Sequence, residues 1–134
     1  MKPVPEPTAT DFDELLVFQG RLCASGFEPV LKWYGGRQED GSFQMPYPEY
    51  DPVIGEFMRA VSKECWRDYE YTDNIQVLRS DLRLIASASL QQLRTVLTFI
   101  VRGERFANGH WAEMLRNGLL CAALSRLTEL RAEE

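Results

Sequence analysis

Apolar residues recur along this chain at helical spacings, and polar punctuation breaks the runs into segments. Phe12, Leu15, Leu16, Leu22 and Cys23 form a first stripe. Thr10 or Asp11 stands ready to cap it, each followed three residues later by an acid, and Gly26 to end it, which predicts a helix over about 12–25. Asp51-Pro52 is a cap followed by a proline suited to the first helical turn. Val53, Phe57, Met58, Val61 and Cys65 then predict a helix over about 52–65. Ile75, Leu78, Leu82 and Ile85 predict a buried helical face over 74–86.

The clearest helix opens at Ser89, where Gln92 completes a capping box. Leu90, Leu93, Val96, Leu97, Ile100 and Val101 spread over a wide arc, as expected of a central helix ending near Arg102 or Gly103. Asn108 is expected to cap a short helix reaching Arg116, closed by Asn117-Gly118. A last helix over about 119–131 would bury Leu120, Ala123, Leu124, Leu127 and Leu130, with an exposed, frayed "RAEE" tail.

Two stretches lack this period. In "FEPVLKWYGG" (27–36), Val30, Leu31, Trp33 and Tyr34 favour a strand and Gly35-Gly36 a turn. A return strand is expected around Ser42–Met45, with Pro46, Pro48 and Pro52 preventing its extension. Residues 66–73, "WRDYEYTD", predict irregular structure or a short strand. The fold expected is mainly α: a single compact domain of five or six helices with a small β-hairpin near 28–45. Residues 1–10 are expected to form an extended, proline-rich arm, and 11–134 the helical domain.

Composition narrows the chemistry. With 134 residues, 45% of them hydrophobic, the chain can bury a core without disulfide or metal staples. It has no apolar run of the ~20 residues that cross a membrane, and its N-terminus lacks a signal-peptide core, so a cytoplasmic location without membrane contact is expected. Net charge is −5, which argues against nucleic acid as a partner. The charge is uneven: residues 1–78 hold 7 basic and 14 acidic side chains, whereas 79–134 hold 8 and 6, all eight basic ones arginine. A nucleic-acid-binding alternative would use Arg79, Arg83, Arg94, Arg102 and Arg105.

The three cysteines, Cys23, Cys65 and Cys121, are widely spaced, and each falls among apolar residues, so they read as small buried hydrophobes. One histidine and no CxxC pair argue against a zinc site. Phosphate loops, HExxH and GxSxG are absent, and no catalytic residue, cofactor or metal is expected. The enzymatic alternative would pair His110 with a cysteine or a carboxylate. The acids Glu39, Asp40, Glu49 and Asp51 read as solvated turn residues, and Glu104, between two arginines, as an ion-pair member.

Aromatic side chains crowd the segments outside the core helices, and tyrosine and tryptophan commonly anchor interfaces. Trp33, Tyr34, Tyr47, Glu49, Tyr50, Trp66, Asp68 and Tyr69 are therefore the candidate interface, an acidic-aromatic surface for a protein partner with basic character. The expected role is a non-enzymatic interaction module, an adaptor or an inhibitor of a larger assembly, by analogy with phage and mobile-element anti-defence proteins. "RGERFANGHW" (102–111) reads as a structural corner. There Arg102 and Arg105 offset helix carbonyls, Gly103 and Gly109 relax the turn, and Phe106 and Trp111 plug the gap between helices.

Two segments, "MPYPEYDPVIGEFMRA" (45–60) and "LQQLRTVLTFIVRGERFANGHWAEMLRNGLLCAALSRL" (90–127), resemble a family of small bacterial domains of unknown function. The resemblance spans about residues 30–131. It rests on Pro46, Tyr47 and Tyr50 before a proline-started helix, on Leu93-Arg94, Leu97-Thr98, Arg102 and Arg105-Phe106, and on Gly109, Ala112 and Gly118 before a leucine-spaced last helix. This chain departs at His110-Trp111, where the family pattern has an apolar residue. The resemblance implies a shared fold and brings no activity, cofactor or catalytic residue.

Overall fold

A computed structural model describes residues 3–133. Met1, Lys2 and Glu134, which belong to the expected arm and tail, lie outside the described residues. Among them run eight α-helices and one antiparallel hairpin, in a single compact domain. The helices are α1 (Ala9–Leu16), α2 (Gln19–Leu22), α3 (Pro52–Val61), α4 (Ile75–Leu78), α5 (Leu82–Ile85), α6 (Leu90–Gly103), α7 (His110–Arg116) and α8 (Leu119–Ala132). The hairpin pairs β1 (Val30–Arg37) with β2 (Phe43–Tyr50). Three of the helices, α2, α4 and α5, are single turns, so five longer helices carry the architecture.

Local chemistry sets the boundaries. Helix α1 starts earlier than the stripe predicts, because Thr8 rather than Thr10 or Asp11 is the cap. The Thr8 hydroxyl accepts from the Asp11 N–H, and the Asp11 carboxylate accepts from the Thr8 N–H at 2.8 Å. The Asp51 carboxylate caps α3 by accepting from the Val53 N–H at 3.0 Å. The Ser89–Gln92 box opens α6 as expected. The segment expected as one helix over 74–86 is two turns. Asp81 interrupts it with extended backbone and caps α5 through the Arg83 N–H, and Leu82 is left exposed.

The core is built on α6 and α8. Leu93, Val96, Leu97 and Ile100 of α6 and Leu120, Ala123, Leu124 and Leu127 of α8 are all essentially fully buried. Phe12 and Leu15 of α1 join them, as do Ile54 and Phe57 of α3. The described part of the expected arm, from residue 3 on, contacts the domain. Pro7 is buried, and Arg94, itself buried, donates to the carbonyls of Cys65 (2.8 Å) and Pro5 (3.4 Å) and pairs with Glu6.

Two expectations about cysteine are corrected. Cys23, the C-cap of α2, is disulfide-bonded to Cys121 of α8 across 98 residues of sequence, with Cα atoms 5.9 Å apart. Helix α2 packs on α8, and this tertiary juxtaposition brings together two cysteines whose spacing carries no signal. The bridge also shows that a chain of this size uses a staple it was not expected to need. Cys65 alone behaves as the small buried hydrophobe expected of all three.

The hairpin is also longer than expected. Residues Val30↔Tyr50, Trp33↔Pro48, Tyr34↔Tyr47 and Arg37↔Phe43 face one another, so β2 runs through Pro46 and Pro48. The prolines are tolerated because both strands of a two-stranded hairpin are edges, and because the register shifts between Tyr34 and Gly36, which leaves Pro46 in a bulge with Met45 opposite Gly35, while Pro48 lies opposite Trp33. Consistent with the bulge, the Pro46 carbonyl turns outward and accepts from Asn108 Nδ2 at 3.0 Å.

Candidate functional site: the hairpin and its clasp

The two faces of the hairpin differ. On one, Lys32 lies opposite Glu49 and Tyr34 opposite Tyr47. The two tyrosine rings stack with centroids 5.4 Å apart, the Tyr34 O–H donates to Glu49 at 2.8 Å, and the Lys32 ammonium sits 4.7 Å from the Tyr34 ring centroid. This bond to a carboxylate raises the Tyr34 phenol above its ordinary pKa. On the other face Trp33 lies over Gly109. A Cβ on Gly109 would stand 2.8 Å from the indole, and its φ of 93° already favours glycine. Leu31, Trp33, Phe43, Met45 and Tyr47 are all substantially exposed, Met45 at 71%. Around them, residues 28–51 carry five acids and two bases.

The root of the hairpin is clasped to the helices by Glu104. Its carboxylate accepts from the Tyr50 O–H (2.7 Å), the Gly109 N–H (2.8 Å) and the Trp111 N–H (2.8 Å). The Tyr50 oxygen in turn accepts from the Ala112 N–H at 3.4 Å. Glu104 and Tyr50 together thus satisfy the free N–H groups opening α7. Burial, followed by the Glu104 carboxylate beside it, raises the Tyr50 phenol well above its ordinary pKa. Two expectations fall here. Glu104 is held by neutral donors instead of arginine, and Asn108 reaches Pro46 while Gly109 occupies the cap position of α7.

The corner is only partly what its sequence implies. Trp111 does plug the joint: its indole N–H donates to the Val101 carbonyl at 3.1 Å, and its ring packs on Tyr50. Phe106 does not, being 75% exposed. His110, the next ring in the corner, packs back on α6: its imidazole meets Phe99 edge-on and occupies the space where a Cβ on Gly103 would stand. Gly103 therefore makes room for a ring, and its φ is not positive. Arg102 and Arg105 are exposed at the end of α6.

The remaining candidates lie elsewhere. Trp66, expected on a surface, is 1% exposed and packs edge-on against Phe12, because the 3-10 turn Glu64–Trp66 folds it into the core. Asp68 is tied to α6: its N–H donates to Thr98 Oγ1 (2.8 Å) and its carboxylate accepts from the Thr95 hydroxyl (2.6 Å). Tyr69 bonds Glu64 and lies against the Arg67 guanidinium. Trp33, Tyr34, Tyr47, Glu49 and Tyr50 are thus brought together on the hairpin, whereas Trp66, Asp68 and Tyr69 belong to the flank of α6.

Of the residues in the two alternatives, His110 has the Glu104 and Glu113 carboxylates as charged neighbours, and Arg102 and Arg105 stay exposed at the end of α6. Cys121 is bridged, and Cys65, its thiol pushed up to about 11 by burial, has Asp11, Lys63 and Arg94 as its charged neighbours. His110, its pKa lowered chiefly by burial, lies against Phe99. Of the arginines in 79–105, Arg94 is buried, Arg83 pairs with Asp81, and Arg79 stacks on Phe99.

Fold and site define a small helical domain with a projecting, clasped hairpin. Residues 7–133 match the sequence profile of a family of unknown function, DUF6508, and the chain belongs to that family. The match is wider at the N-terminus than the resemblance read over 30–131, taking in α1 and the disulfide's first cysteine. Neither a curated protein nor a solved structure matches the chain.

Proposed function

We propose that this protein is a non-enzymatic protein–protein interaction module, and that the β1–β2 hairpin is its contact surface. The observation that supports this reading most is the exposure of Leu31, Trp33, Phe43, Met45 and Tyr47 on an element with no core of its own. Large apolar side chains grouped on a polar-rimmed projection are what a partner buries. The five acids against two bases in 28–51 favour a partner with a basic surface. Pro46 and Pro48 blunt β2 as an edge strand, so contact there is made by side chains and not by adding a strand. A module of this kind acts as an adaptor or an inhibitor of a larger assembly.

A photo-crosslinking amino acid at position 45, with a matched one at exposed position 77 outside the hairpin, tests this in cells of the native host. The expected result is a discrete protein adduct from position 45 only, weakened by charge reversal of Glu39 and Asp40. Equal adducts from both positions, or none from the hairpin, would overturn it.

A further inference from the structure

Away from the hairpin, a cavity of about 430 Å³ opens beside the C-terminal half of α6, within the range of small-molecule sites. Its walls include Trp66, Arg67, Thr98, Arg102, Arg105 and Trp111. Three arginines therefore line one concavity of a protein whose net charge is −5. Arg21, Arg83, Arg94, Arg126 and Arg131 each have a carboxylate within ion-pair distance. Among the described residues Arg67, Arg102 and Arg105 have none, nor have Arg37, Arg59, Arg79 and Arg116, which do not line this cavity. Arg67 donates to the Ser62 carbonyl and lies against the Tyr69 ring.

The one carboxylate on the wall, Glu104, has its oxygens bound by the neutral donors of Tyr50, Gly109 and Trp111, so it keeps its charge but makes no ion pair with an arginine, and it offsets one of the three positive charges. Three positive charges against one negative leave the cavity electropositive, which favours an anion there, most at low salt. Guanidinium groups suit phosphate in particular, because their planar fork donates two parallel N–H bonds. Neutral donors are present as well. The Thr98 oxygen accepts from Asp68, which leaves its hydroxyl proton available. The Trp66 indole N–H is buried and has no acceptor among the described residues. The rest of the lining is apolar and aromatic, Val61 and Val101 beside the two tryptophans.

We infer that this cavity is a binding site for a small phosphomonoester carried on a planar, apolar body: the phosphate is held by Arg102, Arg105 and Arg67, and the body rests on the accessible face of Trp111, with the buried Trp66 behind it. The inference is independent of the hairpin reading, and each can fail without the other.

Titration of the full chain with 1-naphthyl phosphate, followed by the three tryptophan indole resonances in a ¹⁵N–¹H correlation spectrum, tests it. The Trp66 and Trp111 signals are expected to shift and the Trp33 signal to stay, with affinity falling as salt is raised. Inorganic phosphate and 1-naphthol, each carrying half of the ligand, are expected to bind at least about tenfold more weakly. Arg102→Gln and Arg105→Gln are each expected to weaken binding about tenfold or more, while Arg116→Gln leaves it unchanged. Both arginines are exposed, so thermal melts should show the variants folded. The inference is overturned if the Trp66 and Trp111 resonances do not move at millimolar ligand. It is overturned equally if either half-ligand matches the ester, or if the Arg102 and Arg105 variants bind like the parent.

Discussion

The hairpin and the α6–α8 unit use similar side chains in opposite ways. In α6 and α8 leucine, isoleucine and valine recur at helical spacing, and the packed pair hides them almost completely. In β1 and β2 leucine, tryptophan, phenylalanine, methionine and tyrosine are no less frequent, yet most stay in water. A two-stranded ribbon has no second layer to bury a face against. What holds the hairpin is its ladder, the stacked Tyr34–Tyr47 pair and the Glu104 clasp at its root. The helical unit spends its apolar surface on stability, and the hairpin leaves its own available for contact.

The sharpest test of that contrast removes one aromatic ring from each side. Trp66→Ala empties a fully buried volume and is expected to lower unfolding free energy by about 3–5 kcal/mol in chemical denaturation. Phe43→Ala, on the exposed ribbon, should stay within about 0.5 kcal/mol, and so should Phe106→Ala. A comparable loss from either exposed ring would mean that the hairpin or the corner carries core energy after all.

Next in size is the disulfide, which locks α2 against α8 on the helical side. A bridge closing 98 residues restricts the unfolded chain strongly. Replacing Cys23 and Cys121 together by alanine is expected to cost about 2–4 kcal/mol, and adding reductant to the parent should lower Tm by a similar margin. Identical melts with and without reductant would count against the bridge.

Legibility in the sequence divides along the same line. The α3 start at Asp51-Pro52, the Ser89–Gln92 box and the leucine spacing of α8 could be read directly, because helix signals lie within four residues of one another. The cysteine pair and the Glu104 clasp could not, since both depend on distant segments meeting. The clasp's one local hint, an acid flanked by Arg102 and Arg105, pointed to the wrong partners. Trp66 and Phe106 exchanged their expected places for the same reason. Both stand beside charged residues in irregular segments, where no period tells inside from outside. Proline in β2 misled by overstating a real rule, which forbids proline in a central strand and not on an edge or in a bulge.

The clasp is where the two regions meet, and removing it should loosen one while sparing the other. Glu104→Ala leaves the Tyr50 hydroxyl and the N–H groups of Gly109 and Trp111 without their acceptor. Partly exposed donors can recruit water, so a cost of about 1–3 kcal/mol is expected. Hydrogen exchange should rise in β1, β2 and the start of α7 and stay slow in α6 and α8. Uniform acceleration across the chain would show that the hairpin is integral to the core.

The smallest effect expected is a pH dependence seated at the same joint. Burial lowers the pKa of His110 below the 6.5 of a free imidazole. As pH falls below about 6.5, the unfolded chain takes up a proton that the folded ring declines, so the folded state loses stability on the acid side and levels off below the folded pKa. Asp11 acts in a separate window. Its hydrogen bond to Lys63 and its capping bonds with Thr8 hold its carboxyl at about 2, so its contribution is complete above 3.8 and fades as pH falls through that lower value. Between pH 7 and 5 the parent's Tm should therefore fall more than that of His110→Phe, which keeps a ring against Phe99 but has nothing to protonate. Gly103→Ala, whose methyl would displace the imidazole into solvent, should lose the same pH dependence while paying for the disrupted corner. Parallel Tm curves for the parent and His110→Phe would show that the imidazole is not held out of water by this joint.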